Sequence, residues 1–307
     1  MRNLVTGGAG FIGSNLIDKL IKNGENVTCL DNFTTGNKIN IRDWEKDSNF
    51  TLIEHDIINP INLEVDRIWH LACPASPQYY LKNPLETSKS NFLGTLNMLN
   101  LAKELNIKIF FASSSEVYGD PFKHPQDESY NGNVNPIGVR SCYEEGKRIA
   151  ESLCFDYQRL FKTNICVARI FNTYGPKMKY NDGRVISNFI NQALNNQPLT
   201  IYGNGNQTRS FCYIDDLVEC LIKLMNSTFS GPINIGSDEE ISINQLGHLI
   251  NKKIRNYDLI LKKDIQIDDP QIRKPDLNLI KRLINWEPET SLEEGLEKTI
   301  KYFMKNS

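Results

Sequence analysis

A tyrosine and a lysine four residues apart could carry out proton chemistry. Tyr143 and Lys147 are predicted to share one face of a helix that begins near Ser141, which puts the two side chains one turn apart. A phenol has a pKa of about 10 and is a poor base at neutral pH, but a nearby ammonium group lowers this pKa. Ser114 could orient a substrate hydroxyl beside the pair. The pattern indicates proton abstraction from an alcohol, although a surface tyrosine and a solvated lysine have the same spacing.

The first residues of the chain predict a βαβ unit. A buried strand is predicted at Leu4–Thr6 and a second strand at Asn26–Leu30, with a helical pattern over residues 14–22 between them. The turn from the first strand into the helix, Gly7–Gly13, has glycines at its first, fourth and seventh positions. A glycine turn in this context is typical of dinucleotide binding.

The glycines and an acidic residue fit the phosphates and the ribose of a dinucleotide. Gly7 permits a tight turn, Gly10 lets the backbone approach a pyrophosphate, and Gly13 lets helix and strand pack closely. Asp31 ends the second strand, where it could accept hydrogen bonds from the adenosine ribose and would repel a 2′-phosphate. We therefore predict NAD rather than NADP. Asp56, after a third predicted strand, could bind the adenine amino group or be a turn residue.

Strands and helices alternate through the first half of the chain. Buried strands are predicted at Ile68–Ala72 and Ile107–Ala112, with a long helix at Pro84–Leu105 between them. This alternation predicts an α/β fold with a Rossmann-type, doubly wound parallel sheet and a smaller C-terminal substrate-binding lobe. The predicted segments are an NAD-binding domain over 1–172, a later contribution to it near 211–236, and a substrate-binding lobe over 173–307.

Composition and charge argue against several classes of protein. The 307 residues have a formal net charge of −2 and no basic run that would bind nucleic acid. Seven cysteines without a CxxC pair and four histidines without a metal-binding spacing indicate reduced thiols and no metal site. No apolar run approaches the roughly 18 residues of a membrane helix, and the chain enters a strand pattern at once. We expect a cytoplasmic protein without a signal peptide or membrane anchor.

Short motifs extend over nearly the whole chain. They are Gly7–Asn15, Asp31–Phe33, Ala75–Pro77, Ser115–Pro121, Asn133–Gly138, Arg169–Pro176, Asn181–Val185, Gln207–Arg209, Asp268–Gln271 and Arg273–Asp276. With the tyrosine–lysine pair, they resemble the extended short-chain dehydrogenase/reductases that act on nucleotide sugars, and among these the UDP-glucuronate decarboxylases, or UDP-xylose synthases. Departures from the usual family pattern are Cys73 in place of Ser, Ser114 in place of Thr and Thr34 in place of an aromatic residue.

The resemblance implies a decarboxylation of UDP-glucuronate to UDP-xylose in which NAD is recycled. Tyr143, with Lys147 and Ser114, would remove the proton of the sugar 4-hydroxyl while the C4 hydride passes to NAD. The 4-ketone would accept the electrons released when carbon dioxide leaves C5. Glu116 and Arg273 would position the carboxylate and manage the proton added at C5, before the hydride returns to C4.

The resemblance also assigns residues to three groups. Catalytic residues would be Tyr143, Lys147, Ser114, Ser115, Glu116 and Arg273. Cofactor contacts would come from Gly7, Gly10, Phe11, Ile12, Gly13, Asp31, Asn32, Phe33, Thr35, Gly36, Asp56, Ile57, Leu71, Ala72, Tyr143, Lys147 and Thr173. The UDP-sugar would be bound by Asn172, Arg184, Tyr202, Gln207, Arg209 and Arg273. The three arginines would surround the pyrophosphate or the carboxylate, where their forked donors match anionic oxygens.

Other functions share these residues. A sibling 4-epimerase or 4,6-dehydratase would have the same fold, although such dehydratases generally show Asp-Glu after the Ser/Thr, where this chain has Ser115-Glu116. An oxidative decarboxylase would release the 4-keto pentose and NADH. A non-catalytic NAD-binding scaffold typically loses the Tyr or the Lys, and both are present. The helices at 84–105 and around Tyr143 could form a homodimer interface, as in the family, or simply pack within one subunit.

Overall fold

The computed structural model describes residues 1–264 and 272–306. Its strands, in chain order, are β1 (Arg2–Thr6), β2 (Asn26–Asp31), β3 (Phe50–Glu54), β4 (Arg67–His70), β5 (Lys108–Ser114), β6 (Ile165–Ile170), β7 (Thr173–Tyr174), β8 (Leu199–Tyr202), β9 (Thr208–Ser210), β10 (Cys212–Tyr213), β11 (Ile233–Ile235), β12 (Glu240–Ser242), β13 (Ile260–Lys263) and β14 (Ile272–Arg273). Within these residues, seven strands form one parallel sheet in the order β3-β2-β1-β4-β5-β6-β11. The strand order reverses between β1 and β4, so the ligand crevice opens there, at the carboxyl ends of the strands. The predicted Rossmann-type fold is confirmed.

Helices cover both faces of this sheet. In chain order they are α1 (Phe11–Lys22), α2 (Pro77–Tyr80), α3 (Pro84–Lys89), α4 (Thr95–Leu105), α5 (Ser141–Phe161), α6 (Val185–Leu194), α7 (Ile214–Asn226), α8 (Ile243–Ile254), α9 (Asn278–Ile284) and α10 (Leu292–Asn306). Successive residues of a strand point to opposite faces. Accordingly Val5 and Phe110 pack in the cluster that contains α1 and α7, while Leu4 and Phe111 pack in the cluster that contains α4 and α5.

Three elements differ in detail from their predicted bounds. α1 begins at Phe11 rather than Ser14, because Gly10 adopts an extended conformation and serves as the N-cap. β5 continues to Ser114, which brings this serine to the carboxyl edge of the sheet. The helix predicted at Pro84–Leu105 is continuous but passes through a π-helical turn at Ser90–Gly94.

The C-terminal part of the chain forms small sheets beside the carboxyl edge. β9 lies between β12 and β14, and the register of β9 with β14 pairs Arg209 with Arg273. α7 packs on α1, and β11 extends the large sheet beside β6. From these contacts we propose that residues 1–172, with the return near 211–236, form the NAD-binding domain, and that the remaining residues of 173–307 form the substrate-binding lobe.

The described residues contain neither a membrane-spanning helix nor a cluster of metal ligands. Across residues 1–264 and 272–306, none of the helices is both long and apolar enough to traverse a bilayer. The same residues contain no group of three or more His, Cys, Asp or Glu side chains arranged to hold a metal ion. The motif Asp268–Gln271 lies outside the described residues.

Candidate active site

A cleft of about 910 Å³ runs along the carboxyl edge of the sheet and separates it from the C-terminal lobe. Its lining includes the glycine turn, Asp31, Tyr143, Tyr202 and Arg209. Its size and mixed lining are those of a site for a cofactor and a substrate together.

The glycine turn is built so that only glycine fits. A side chain on Gly7, whose φ is +69°, would put a Cβ 2.8 Å from the Cα of Ala72. A Cβ on Gly13 would lie 2.3 Å from the carbonyl oxygen of Gly7. α1 begins without a side-chain cap, so the N–H groups of its first turn are left for a ligand. A phosphate-sized anion suits this helix N-terminus because the backbone donors and the helix dipole act together.

Asp31 is held at the end of β2 with its carboxylate against the cleft. The backbone N–H of Ala9 donates to Oδ2 at 3.0 Å and that of Phe33 donates to Oδ1 at 2.8 Å. Burial raises the pKa of Asp31, and these two donors with Lys179 oppose that rise. Gly36 lies so close that a Cβ there would be 2.7 Å from the carboxylate. This fixed acceptor fits a ribose diol, so the residues present fit NAD.

The remaining residues predicted to contact the cofactor line the cleft, with one exception. Phe33 is not part of the lining; its backbone holds Asp31 and its ring lies 4.6 Å from the ammonium of Lys38. Phe33 as a cofactor contact stays a prediction. Asp56 acts as a turn residue, because its carboxylate accepts a hydrogen bond from the backbone N–H of Ile58 at 3.1 Å. It also accepts a hydrogen bond from the side-chain amide of Asn32 at 3.0 Å.

Tyr143 and Lys147 face the cleft from the first turns of α5, and both are buried. The ammonium of Lys147 donates to the carbonyl of Ala112 at 2.9 Å and lies 5.9 Å from the centre of the Tyr143 ring. The Ser114 hydroxyl acts to lower the pKa of the phenol. Burial nevertheless raises the pKa of Tyr143 well above its ordinary value, with Cys73 and Glu116 adding to the rise. In the protein alone burial outweighs the favourable neighbours, and the lowered pKa expected from the sequence also depends on the positive nicotinamide ring of the bound cofactor.

Tyr80 holds the ring of Tyr143 from one side. The two rings are stacked, with centroids 5.3 Å apart and planes 7° from parallel, and Tyr80 is buried. The loop around Tyr80 is tied to the opposite wall of the cleft, because Ser76 donates to the carbonyl of Asp182. Sequence reasoning missed Tyr80, and the only available signal was its position just after the Ala75–Pro77 motif.

Four charged side chains form a chain beside Tyr143. Arg273 pairs with Oε1 of Glu116, Arg140 donates to Oε2 of Glu116 at 2.6 Å, and Arg140 also donates to Glu144 at 3.0 Å. Burial acts to raise the pKa of Glu116, but the two arginines outweigh it and lower this pKa to about 2. Glu116 is therefore ionised at neutral pH. Sequence reasoning missed Arg140 and Glu144, although their i, i+4 spacing favours an ion pair.

The residues predicted to bind the UDP-sugar line the other half of the cleft. Arg184, before α6, pairs with Asp182 at 3.2 Å, and Gln207 donates to the carbonyl of Tyr202 at 2.8 Å. Arg209 is buried on β9 and donates to the carbonyl of Thr208 at 2.8 Å. Asn172, Thr173 and Ser115 also line the cleft. Cationic groups thus face the space where two anionic groups of the substrate would lie.

Comparison with known proteins identifies the family. The family model described as GDP-mannose 4,6 dehydratase matches residues 4–299. The chain is 54% identical over 304 residues to UDP-glucuronic acid decarboxylase 1 of Xenopus tropicalis, covering 99% of this chain and 72% of that protein. It is 54% identical to UDP-glucuronic acid decarboxylase 3 of Arabidopsis thaliana, covering 96% of this chain and 87% of that protein.

The chain belongs to the UDP-glucuronic acid decarboxylase family, within the extended short-chain dehydrogenase/reductases. Solved structures of the superfamily share its fold. UDP-glucose 4-epimerase of Thermotoga maritima superposes with a TM-score of 0.90 at 29% identity, covering 100% of this chain and 99% of that one. A mutant UDP-glucuronic acid 4-epimerase of Bacillus cereus, solved with UDP-4-deoxy-4-fluoro-glucuronic acid and NAD, gives 0.90 at 29% identity and covers 100% of both chains.

The departures from the decarboxylase family pattern leave the reactive groups in place. Ser114 keeps the hydroxyl that acts to lower the pKa of Tyr143. The thiol of Cys73 lies 3.1 Å from the side-chain oxygen of Asn91, so it keeps a polar contact where the family commonly has serine. Thr34 lines the cleft near Asp31.

Proposed function

We propose that this chain decarboxylates UDP-glucuronate to UDP-xylose, with NAD regenerated in each cycle. The observation that carries the proposal is the arrangement of Tyr143 with its serine and lysine partners next to the Glu116–Arg273 ion pair in one cleft. The first group suits oxidation at a sugar hydroxyl, and the second suits a sugar that bears a carboxylate. Family membership supports both roles.

The residues of the cleft would serve two proton transfers, one at the C4 hydroxyl of the sugar and one at C5. The Tyr143 oxygen would take the proton of the C4 hydroxyl, with Ser114 orienting that hydroxyl by a hydrogen bond. NAD, when bound, supplies a hydride acceptor and donor at C4. Once C4 is a ketone, the C5–C6 bond breaks, carbon dioxide leaves, and the electron pair of that bond moves onto the C4 oxygen as an enolate. Tyr143 and Ser114 would face this oxygen throughout.

Glu116 and Arg273 would serve the carboxylate and the proton that replaces it. Because two arginines keep Glu116 ionised, it holds no proton at neutral pH, but it can orient a water molecule that delivers the proton to C5. Arg273 would attract the C6 carboxylate before carbon dioxide leaves. Arg184 and Arg209 would bind the pyrophosphate of the UDP group.

Product analysis tests this proposal. Purified protein is mixed with UDP-glucuronate and NAD, and products are followed by proton NMR together with the 340 nm absorbance of NADH. We expect UDP-xylose without lasting NADH, and an inactive Tyr143→Phe variant. UDP-galacturonate as the product would instead make the chain a 4-epimerase, which its likeness to the Bacillus cereus epimerase fold favours as the second candidate. A 4-keto pentose with stoichiometric NADH would make it an oxidative decarboxylase.

We also propose a homodimer formed by α3, α4 and α5. Apolar side chains on this side of the molecule are exposed to solvent, among them Leu85 at 75%, Phe92 at 40% and Ile149 at 43%. α3, α4 and the π-helical turn all pack against α5, so these residues belong to one continuous helical surface. Light scattering after size exclusion should give twice the chain mass, and Leu85→Asp should halve it. Phe122→Asp, at an exposed site elsewhere, is the control, and a monomeric wild type would refute the proposal.

A further inference from the structure

The charged chain beside Tyr143 has a member with no role in the proposed reaction. Glu144 follows Tyr143 on α5 and points into the protein, where its side chain is 6% exposed. It bonds Arg140, which bonds Glu116, which bonds Arg273. Arg140, Glu116 and Arg273 line the cleft, whereas Glu144 lies behind them. We call these four residues the carboxylate cluster.

The charge of the carboxylate cluster depends on Glu144. Protonation of one of its two carboxylates makes the charge of the cluster more positive by one unit. Glu116 stays ionised because it faces both arginines at once. Within residues 1–264 and 272–306, Glu144 forms an ion pair with Arg140, which it shares with Glu116, so Glu144 is the member that can change its charge.

We propose that Glu144 takes up a proton when the carboxylate of the sugar enters the cleft, so that Arg140 and Glu144 set the charge of the site and favour an anionic sugar. The inference rests on the proposed function. Each ionised carboxylate of the cluster opposes the entry of a sugar carboxylate, which also loses its water on binding. A proton on Glu144 offsets the charge that the sugar carboxylate brings. The proton stays on Glu144 and takes no part in bond making or breaking.

The groups around Glu144 favour its uptake of a proton near neutral pH. Burial and then the charge of Glu116 raise the pKa of Glu144 to about 7, against the opposing effects of Arg140 and Arg273. The other titratable groups affected by Glu144 are Tyr80 and Cys142, and burial raises the pKa of each, so both remain uncharged. A carboxylate bound next to the cluster would raise the pKa of Glu144 further, because like charges disfavour ionisation.

The sign of the pH dependence follows from linkage. Below about pH 7 Glu144 is already protonated, and binding of the sugar carboxylate needs no proton uptake. Above this pH, binding must bring one proton with it, so the affinity falls by up to about tenfold for each pH unit. UDP-glucose has no carboxylate, and its affinity should not share this dependence.

Calorimetric titration of the Tyr143→Phe variant with NAD present tests the inference without turnover. The Kd of UDP-glucuronate is measured from about pH 6 to 8.5, and at the higher pH in two buffers with different heats of ionisation. We expect Kd to rise about tenfold or more over this range, with uptake of up to one proton per site. Adding Glu144→Gln, which mimics the protonated acid, should remove both effects.

Matched ligands and variants make the outcome decisive. The neighbouring substitution Glu145→Gln, at a half-exposed residue paired with Arg148, should leave the pH dependence of UDP-glucuronate binding to the Tyr143→Phe variant unchanged. The Kd of UDP-glucose should not vary with pH in the same way. The inference is overturned if the Kd of UDP-glucuronate for the Tyr143→Phe variant does not change with pH. It is also overturned if the Kd of UDP-glucose changes with pH in the same way. If Glu144→Gln does not fold, the proton uptake measured when UDP-glucuronate binds the Tyr143→Phe variant tests the inference. Failure of the wild-type protein to form UDP-xylose would refute the proposed function instead. The binding experiment does not depend on that activity.

Discussion

Replacing Glu116 by glutamine should remove much of the acid sensitivity of the fold. In the folded protein, burial would raise the pKa of Glu116, but Arg273 and Arg140 lower it from 4.5 to about 2. A carboxylate whose pKa is lower in the folded than in the unfolded state stabilises the fold above its unfolded pKa. That stability is lost as the pH falls from about 4.5 to about 2.

The loss of unfolding free energy in Glu116→Gln can be estimated from the pKa shift of Glu116. Each unit of pKa corresponds to about 1.4 kcal/mol, so the ionised Glu116 contributes about 3 kcal/mol to the free energy of unfolding at neutral pH. The side chain is only 15% exposed, so solvent screening is small. In Glu116→Gln, Glu144 loses a repulsive neighbour and pairs more strongly with Arg140. The observed loss should therefore be roughly 2 to 3 kcal/mol.

Urea unfolding at a series of pH values measures the contribution of ionised Glu116 to the free energy of unfolding. Wild type should lose stability between pH 5 and 2.5 more steeply than Glu116→Gln, and the difference between the two proteins should be largest at neutral pH and shrink on acidification. Glu145→Gln, whose carboxylate is half exposed, should follow wild type. Parallel curves for wild type and Glu116→Gln would refute the reasoning, because they would mean that the two arginines do not depress the pKa of Glu116.

Three further substitutions test single contacts. Tyr80→Leu removes the stacked ring and should lower kcat about fivefold to tenfold, with little change in the KM for UDP-glucuronate. Tyr80→Phe keeps the ring and should have nearly normal kcat. Equal losses of kcat in the two variants would show that the ring stack does not position Tyr143. Gly13→Ala puts a Cβ 2.3 Å from a backbone oxygen and should weaken NADH binding in a fluorescence titration at least tenfold; unchanged affinity would contradict this. Arg209→Met should raise KM for the UDP-sugar about tenfold to a hundredfold with kcat nearly kept, and a loss confined to kcat would contradict its assignment to the UDP group.

The fold could be predicted because its signals are local. Buried strands such as Leu4–Thr6, the glycine turn and the long helical patterns each follow from neighbouring residues, and their alternation specifies the parallel sheet. The return of β11 to this sheet was anticipated only as a contribution near 211–236. Three buried residues, Ile233–Ile235, do not distinguish a sheet strand from a core loop.

The site could be predicted in part. The placement of Tyr143, Lys147 and Ser114 around one cleft follows from the edge of a parallel sheet. The carboxylate cluster could not be predicted, because Arg140 and Arg273 are 133 residues apart and meet only when β14 packs beside β9. The raised pKa of Tyr143 was missed for a related reason: burial is a property of the packed structure, and the spacing to Lys147 does not report it.

Product analysis in heavy water tests the central claim most directly. UDP-glucuronate and NAD are incubated with the protein in D₂O, and the isotope content of each carbon of the product is read by NMR. A closed redox cycle predicts UDP-xylose with one deuterium at C5, where a solvent proton replaces carbon dioxide, and protium at C4, where the original hydride returns. UDP-galacturonate, or a 4-keto pentose that accumulates with NADH, would contradict the account.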